Sequence, residues 1–208
     1  MQVKDKILII IPSYNGVDYF RSLLPQLSKE QYLDFELEIV IVDDNSQDDS
    51  VNFIKNNFPN FTLIQSKINS GYVGANNLGY EYAKKVKADF IYLLNQDTET
   101  QANFLQPLYN FAKENKFGTL QSKLRLYPAT NKINTLGNVI HFLGFGYGSC
   151  GGCVDKNDQE IKKINYASGA GLLVSMIALA DLGYLFDETM FAYLEDLDLG
   201  WSLKLLGW

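Results

Sequence analysis

The sequence of 208 residues has little of several residue types, and each shortage excludes a class of protein. It contains two cysteines and one histidine, too few for a disulfide framework or for a zinc site built only from side chains. Basic residues are also few, because 18 lysines and arginines face 24 acids and give a net charge of −6. That balance argues against a nucleic-acid partner, since such a surface must neutralise many phosphates. An anionic ligand would need a local binding device.

The residues that are present suffice for one large core. Apolar residues make up 47% of the chain and aromatic residues 13%, unlike disordered, collagen-like or coiled-coil sequences. We find no internal repeat and no linker-like segment that would separate independent domains. We therefore predict a single domain over residues 1–208.

The amino terminus runs directly into an apolar segment and lacks a small-residue cleavage site, so we predict no signal peptide and expect a cytoplasmic location. The longest weakly charged window is residues 167–186, about as long as a membrane-spanning helix. Because it contains three glycines, two serines and Asp181, we predict a buried strand followed by a helix instead.

Short apolar runs alternate with amphipathic stretches through the first half of the chain, a pattern typical of parallel strands joined by helices. The predicted strands cover residues 6–11, 37–42, 61–64 and 89–94, and helical spacing marks residues 19–27, 51–54 and 72–85. Each predicted strand ends in a polar loop, so we expect an open α/β sheet with a ligand crevice at its carboxyl ends. After about residue 120 the pattern loosens, and we predict irregular segments there.

Asp43 stands at the predicted carboxyl end of the second strand. A carboxylate there can accept hydrogen bonds from a nucleobase imide or from ribose hydroxyls. The alternative is a solvated helix-capping loop, and that interpretation fits Asp48 and Asp49 better.

The segment from residue 69 to 79 combines glycines and asparagines at the predicted start of a helix. Gly71 and Gly74 allow close backbone approach, and Asn69, Asn76 and Asn77 supply amide groups where the amino end of a helix favours phosphate. A plain turn with a helix cap is the alternative.

Asp97 follows the apolar run at residues 89–94 and would emerge at the crevice. Mg²⁺ and Mn²⁺ take oxygen ligands, usually one or two carboxylates with substrate phosphates, and such an ion would reconcile a charge of −6 with a diphosphate. Glu99 is a candidate second carboxylate. We therefore expect weak metal binding or binding only with a nucleotide, whereas an ordinary turn is the alternative for Asp97.

Acidic residues also concentrate near the carboxyl terminus. Glu195, Asp196 and Asp198 precede an apolar helical segment at residues 199–206, where carboxylates could cap the helix. With Asp187 and Glu188 close by, the acids are more numerous than capping requires.

Taken together, these loops resemble the inverting family 2 glycosyltransferases of GT-A fold, and among them the rhamnosyltransferase-like branch. The segments that carry the resemblance are residues 12–15, 42–46, 69–79, 94–98, 186–188 and 195–198, in that order. The resemblance covers nearly the whole chain. It implies a mostly parallel central sheet flanked by helices, with a nucleotide-binding half at about 1–100 and an acceptor or catalytic half at about 101–208.

The resemblance also implies roles for individual residues. Asp196 would be the base that takes the proton of the acceptor hydroxyl, with Glu195 and Asp198 orienting it or holding the loop. Asp97 would bind Mg²⁺ or Mn²⁺, although Asn95 stands where the family's DXD motif has its first Asp. The residues expected around the nucleotide are Pro12, Tyr14, Asn15, Asp43, Asp44, Asn69, Gly74, Asn76 and Asn95.

The partners implied are a UDP- or dTDP-sugar donor and a glycan or lipid-linked acceptor, in the synthesis of a cell-surface polysaccharide. Peripheral contact with the inner face of the cell membrane is also expected. Two departures stand out. Ser202 occupies a position where the family often has Arg, and the chain ends at Trp208, before a further strand and a later histidine, so we expect a carboxyl-terminally truncated piece.

Two other function classes stay open. A nucleotidyltransferase would use a similar sheet and metal, but residues 12–16 lack the basic residue of its phosphate loop. A non-catalytic nucleotide-sugar-binding domain would survive without Asp196.

Weaker signals favour no special function. Residues 146–151 spell G-x-G-x-x-G without the helix that dinucleotide binding requires, and we interpret Cys150, Cys153 and His141 as ordinary loop residues. For Tyr14, Tyr72, Tyr147 and Phe191, stacking on a sugar or base is the alternative to packing in the core or at its rim.

Overall fold

The computed structural model of the protein describes residues 4–158 and 160–208. Residues 1–3, on which the signal-peptide prediction partly rests, lie outside the described residues. The helices are α1 (Val17–Leu27), α2 (Ser50–Asn57), α3 (Gly71–Lys85), α4 (Gln106–Glu114), α5 (Met176–Leu182) and α6 (Glu195–Leu205). The strands are β1 (Asp5–Ser13), β2 (Phe35–Asp43), β3 (Thr62–Gln65), β4 (Phe90–Leu94), β5 (Thr119–Gln121), β6 (Leu124–Arg125), β7 (Ile133–Thr135), β8 (Asn138–Ile140), β9 (Gly146–Gly148) and β10 (Gly171–Ser175).

Six strands form one sheet in the order β3-β2-β1-β4-β10-β5. The first four are parallel, and β10 runs antiparallel to both β4 and β5. The predicted α/β fold with a mostly parallel sheet is therefore confirmed. The four strands predicted in the first half are all present, and β1 and β2 extend a residue or two further at each end than predicted.

The sheet is buried on both faces, and β1 shows why its sequence is an unbroken apolar run. Ile7, Ile9 and Ile11 pack on the side of α1, α2 and α4, whereas Leu8 and Ile10 pack on the side of α3, α5 and α6. All five side chains are fully buried. A strand covered by helices on both sides has no solvent-facing positions, so no polar alternation is expected.

The polar loop after β2 supports the start of α1 as well as that of α2. Asp49 occupies the N-cap position of α2, but its side chain makes no capping bond there. Asp48 does so instead, because it accepts hydrogen bonds from the backbone N–H groups of Ser50 and Val17. The capping role predicted for this loop therefore belongs to Asp48.

Residues 119–165 contain two small hairpins, β6–β7 and β8–β9, where irregular structure was predicted. Strands of two or three residues are too short to show a periodicity of two, so the sequence pattern does not reveal them.

Asp155 forms ion pairs with Lys123 and Arg125. Its hydrogen bond with Lys123 is the largest influence that lowers its pKa, to about 2. The ion pairs tie the chain after β9 back to β6.

The weakly charged window at residues 167–186 is divided between β10 and α5, as predicted. Among the described residues, no helix is both long enough and apolar enough to cross a bilayer.

Candidate active site

The carboxyl edge of the sheet, where β1, β2 and β4 end, gathers loops from both halves of the chain. Ser13 ends β1 directly beside Asp43 at the end of β2, because the two are paired in register. Strand β10 runs the other way, so its first residue, Gly171, pairs with Leu94 at the end of β4. The start of α3 lies at this edge too, tied to Asp44.

Three buried polar atoms near this edge have no hydrogen-bond partner among the described residues. They are Ser13 Oγ, Asp43 Oδ1 and Asn95 Oδ1. The residues belong to, or directly follow, the adjacent strands β1, β2 and β4. An unpaired buried polar group costs about 1–3 kcal/mol, which is a reason to look for a ligand that pairs with it. Two of the three residues, Asp43 and Asn95, are predicted nucleotide contacts.

The loop after β1 is hydrogen-bonded to two neighbouring loops, those that follow β2 and β4. Pro12 is buried within β1, whereas the Tyr14 side chain is about half exposed at 45%. Asn15 has a left-handed backbone with φ of 50°, and its Oδ1 accepts a hydrogen bond from Gln47 N at 2.8 Å. Gln96 bonds both the N–H and the carbonyl of Tyr14 at 3.2 Å. Its role was not predicted, since its partner is 82 positions away.

Asp44 has a different role from the nucleotide contact predicted for it. Its Oδ1 accepts from the N–H and the hydroxyl of Ser70, and its Oδ2 accepts from Gly71 N at 2.7 Å. The carboxylate therefore satisfies the orphan N–H groups at the start of α3 and complements the helix dipole. Asn69 helps, because its Oδ1 accepts from Gly71 N at 3.1 Å.

The glycines of α3 are required by packing. Gly71 has φ of +73°, and an added Cβ would lie 2.5 Å from the carbonyl oxygen of Phe191. At Gly74 a Cβ would lie 2.4 Å from the side chain of Ser70. Asn76 is fully buried and its Nδ2 donates to the carbonyl of Tyr72, so its side chain is not presented to solvent. Its Oδ1 is nevertheless buried without a hydrogen-bond partner among the described residues, as are those of Asp43 and Asn95. The nucleotide contacts predicted for Gly74 and Asn76 stay predictions.

Asp97 is exposed two residues beyond the buried amide of Asn95. Within residues 4–158 and 160–208, no cluster of three or more His, Cys, Asp or Glu side chains is gathered for a metal. Glu99 is turned toward α1, where its Oε1 accepts from Ser22 Oγ at 2.9 Å. One free-standing carboxylate beside an unpaired amide oxygen fits a divalent ion held largely by substrate phosphates.

Two carboxylates in the first turn of α6, those of Glu195 and Asp196, lie close to the sheet. Glu195 is only 8% exposed and its Oε2 has no partner among the described residues. Asp196 Oδ2 accepts a hydrogen bond from Gly169 N at 3.3 Å, two residues before β10. Burial raises the pKa of both carboxyl groups, and the charge of Asp196 adds to the effect on Glu195. A raised pKa suits a group that must accept a proton near neutral pH.

Tyr72 links these carboxylates to α3, and its role was not predicted. Its hydroxyl donates to the carbonyl of Gly169 at 2.9 Å, while the N–H of Gly169 bonds Asp196. Burial, followed by the charges of Glu195 and Asp196, raises the pKa of Tyr72, so it stays a neutral donor. A Cβ at Gly169 would lie 2.6 Å from the Tyr72 hydroxyl, which explains the glycine.

A cavity of about 880 Å³ lies beside α3, and its lining includes Ser70 and Gly74 at the start of that helix. It is bounded by the loop after β3 and by residues 183–190. Among the described residues that line it, none is Asp43, Asp97 or Asp196.

Comparison with known proteins identifies the family. The model of "Glycosyl transferase family 2" matches residues 8–174, which is most of the chain and includes most of β1 and all of β2, β3 and β4. The chain belongs to glycosyl transferase family 2.

Individual relatives agree with this family 2 membership. The chain is 32% identical over 123 residues to the poly(ribitol-phosphate) beta-glucosyltransferase of Bacillus spizizenii, which covers 58% of this chain and 19% of that protein. A crystal structure of S. aureus TarS 1-349 in complex with UDP-GlcNAc superposes with a TM-score of 0.67 at 21% identity, over 96% of this chain and 53% of that one. The structure of the mannosyltransferase PcManGT from Pyrobaculum calidifontis, in complex with GDP-Man and Mn²⁺, superposes with a TM-score of 0.70 at 15% identity. The superposition covers 100% of this chain and 54% of that one. The chain thus shares the GT-A fold and spans about half or less of these proteins.

Proposed function

We propose that this family 2 chain is an inverting glycosyltransferase, which moves a sugar from a nucleoside-diphosphate donor to a hydroxyl of a glycan or lipid-linked acceptor. The observation that carries the proposal is the hydrogen bond between Asp196 and Gly169. It brings a half-buried carboxylate of raised pKa to the edge of the sheet where Asp43 and Asn95 have unpaired oxygen atoms.

The donor's nucleoside is assigned to the ends of β1 and β2. Asp43 Oδ1 would accept from the base or the ribose, since its Oδ2 is already engaged by Ser46 N. Tyr14 supplies an exposed ring against which a base can stack, and Asn15 fixes the loop that carries it. Asp44 and Asn69 contribute indirectly, because they hold the start of α3 against this edge.

Asp97 would hold Mg²⁺ or Mn²⁺ together with the donor's phosphates, with Asn95 Oδ1 available beside it. Such an ion, when bound, neutralises charge that develops on the departing diphosphate. PcManGT, a structural neighbour, carries Mn²⁺ with its sugar nucleotide, which supports this assignment.

The proton has a defined destination in this proposal. As the acceptor oxygen bonds to the anomeric carbon, the bond from that carbon to the diphosphate oxygen breaks on the opposite side. The hydroxyl proton passes to the Asp196 carboxylate. The N–H of Gly169 orients that carboxylate, and Tyr72 in turn fixes Gly169. No residue of the chain forms a bond to the sugar, so the anomeric configuration inverts.

The relatives support a UDP-sugar donor and a cell-surface acceptor. TarS is crystallised with UDP-GlcNAc, and the Bacillus relative is named for glucosylating poly(ribitol-phosphate). We retain dTDP-sugars as the second donor class, in keeping with the rhamnosyltransferase-like motifs of the sequence. We further propose that the protein works at the cytoplasmic face of the membrane, where lipid-linked acceptors are presented.

A donor screen tests this function. UDP-, dTDP- and GDP-sugars, each with and without Mn²⁺, are compared by thermal shift, and each stabilising donor is then incubated with lipid-linked and soluble glycan acceptors. We expect one base class to raise the melting temperature, more with Mn²⁺, and NMR of the product to show an inverted anomer. A retained anomer, or no stabilisation by any donor, would contradict the proposal.

The same screen separates the two rivals. A nucleotidyltransferase would consume a nucleoside triphosphate and release pyrophosphate, whereas glycosyl transfer releases a nucleoside diphosphate. A non-catalytic binding domain would be stabilised by the donor but would release nothing with any acceptor.

A further inference from the structure

The hairpin β8–β9 exposes an unusual amount of apolar surface at its tip. Phe142 is 88% exposed and Leu143 69%, and Phe145 and Tyr147 are about half exposed. The rings of Phe142 and Phe145 pack on either side of His141, with centroids 4.3 and 4.4 Å away. Clustered apolar side chains of this kind mark an interaction surface more often than isolated ones do.

The backbone of this tip is largely satisfied by its own bonds. His141 N donates to the carbonyl of Phe145, and Gly144 N donates to the carbonyl of His141, both at 2.8 Å. Leu143 N donates to the ring Nδ1 of His141 at 3.2 Å. Three N–H groups of this turn, those of His141, Leu143 and Gly144, are paired within the hairpin, which lowers the cost of bringing them to the boundary of an apolar phase.

The inner face of the hairpin lies against the first turn of α6. A Cβ at Gly146 would be 2.2 Å from the Tyr166 hydroxyl and 2.8 Å from the Leu197 side chain, the residue after Asp196. Because side chains alternate along a strand, Tyr147 points to the outer face, away from Leu197. The Tyr147 ring therefore lies on the face of the hairpin that is turned away from α6.

A second apolar segment precedes α6. Phe191, Tyr193 and Leu194 are 62%, 86% and 61% exposed. Tyr193 and Leu194 both have left-handed backbones, with φ of 71° and 69°. Such conformations are unfavourable for non-glycine residues and cluster at functional sites. We call residues 142–147 and residues 191–194 together the apolar rim, because the first segment packs on Leu197 of α6 through Gly146 and the second directly precedes α6.

The segment that contains the hairpin also differs from the rest of the chain in its net charge. Residues 119–165, which include the hairpin, contain six of the 18 basic residues and only three of the 24 acids. This part of an acidic chain is therefore net positive. Lys123, Arg125 and Lys162 form ion pairs with the three acids, whereas Lys132, Lys156 and Lys163 are exposed. A net positive segment that carries exposed aromatic and aliphatic side chains suits the boundary of an anionic bilayer.

We propose that the apolar rim inserts into the surface of an anionic lipid membrane and so holds Asp196 next to a lipid-linked acceptor. A glycan platform fits less well, because Leu143 offers no flat face for a sugar and the Tyr147 ring is turned away from α6. The statement about the acceptor rests on the proposed glycosyl transfer, whereas membrane contact does not.

Vesicle co-sedimentation tests the contact. The full chain is mixed with vesicles of phosphatidylglycerol and phosphatidylethanolamine, and the double variant Phe142→Ser/Leu143→Ser is compared with Leu33→Ser. Leu33 is 87% exposed in the loop between α1 and β2, at the opposite edge of the sheet, and is a matched control. We expect the hairpin variant to lose about ten-fold or more in vesicle affinity, because each buried apolar side chain contributes strongly to partitioning, and the control to bind as the unmodified chain.

Three results would overturn the proposal: no sedimentation of the unmodified chain, equal loss in both variants, or unchanged binding of the hairpin variant. Phe142→Trp gives a second readout, because the fluorescence of the introduced tryptophan should be quenched by brominated lipid.

Stabilisation by the donor, measured on the same samples, should be unchanged in the hairpin variant. Failure of donor binding in every sample would count against the proposed function, and failure of vesicle binding alone against the apolar rim. Loss of soluble-glycan binding in the hairpin variant, with no vesicle binding, would assign the rim to a glycan.

Discussion

The donor side and the acceptor side of the carboxyl edge are built in different ways. The donor side consists of the ends of buried parallel strands, with Asp43, Asn15 and Gln96 set by hydrogen bonds among neighbouring loops. The acceptor side consists of the start of α6, the segment before β10 and a projecting hairpin with exposed rings. In the proposed function, the donor side therefore supplies polar recognition, whereas the acceptor side combines the half-buried Asp196 as base with an exposed apolar surface.

The largest effect should come from the acceptor side. We expect Asp196→Asn to lower kcat by about 10²–10⁴-fold, the usual contribution of a general base, while donor affinity is unchanged. Initial rates and titration calorimetry give the two quantities. The control variant Glu188→Gln removes an exposed charge upstream of Asp196 and should retain both kcat and donor affinity. Equal activity of Asp196→Asn and the unmodified chain would remove Asp196 from the mechanism.

Substitutions at two adjacent carboxylates of the donor side, Asp43 and Asp44, should affect different quantities, one the donor affinity and the other the free energy of unfolding. Asp44→Asn should destabilise the fold by about 1–3 kcal/mol, because three charge-assisted bonds at the start of α3 are weakened. Asp43→Asn should cost little stability but lower donor affinity by about ten-fold, the value of one hydrogen bond to a charged group. Urea unfolding and calorimetry measure the two effects. The opposite pattern would exchange the roles of these residues.

The contact between the two sides can be tested at Gly169. We expect Gly169→Ala to displace Tyr72 and to lower kcat by about ten-fold, since the N–H that orients Asp196 moves. Tyr72→Phe removes the hydroxyl without adding bulk and should have a smaller effect. If Gly169→Ala reduced donor affinity instead of kcat, the contact would belong to the donor side.

The smallest effect is a pH dependence of stability. Burial raises the pKa of Glu195 in the folded state, so the folded protein holds this proton more tightly and the charged form costs stability as pH rises. Glu195→Gln removes that cost. We expect its melting temperature to exceed that of the unmodified chain at neutral pH and to converge with it below the ordinary glutamate pKa of about 4.3. A difference that grows toward acid pH would have the wrong sign.

Much of the donor side could be predicted from the sequence, because strands such as β1 are buried on both faces and their ends are marked by polar loops. Asp43 and Asn95 were predicted near the edge, and both have unpaired oxygen atoms there. Their roles stay predictions. The capping role of Asp44 was missed, since a strand-end carboxylate has the same local sequence whether it caps a helix or meets a ligand.

The acceptor side was less predictable for physical reasons. Tyr72 and Gly169 are hydrogen-bonded across 97 positions, and no local pattern records such a pair. The hairpin β8–β9 has strands of three residues, too short for a periodic signal, so irregular structure was predicted where the hairpin lies.

The central claim is that carboxylates from distant segments serve one site at the carboxyl edge. A crystal structure with a nucleoside diphosphate and Mn²⁺, with anomalous data collected for manganese, tests it most directly. We predict the nucleoside against Asp43 and Tyr14, the manganese peak beside Asp97, and the diphosphate facing Asp196. A nucleotide bound instead in the 880 Å³ cavity beside α3, with no manganese at Asp97, would contradict the account.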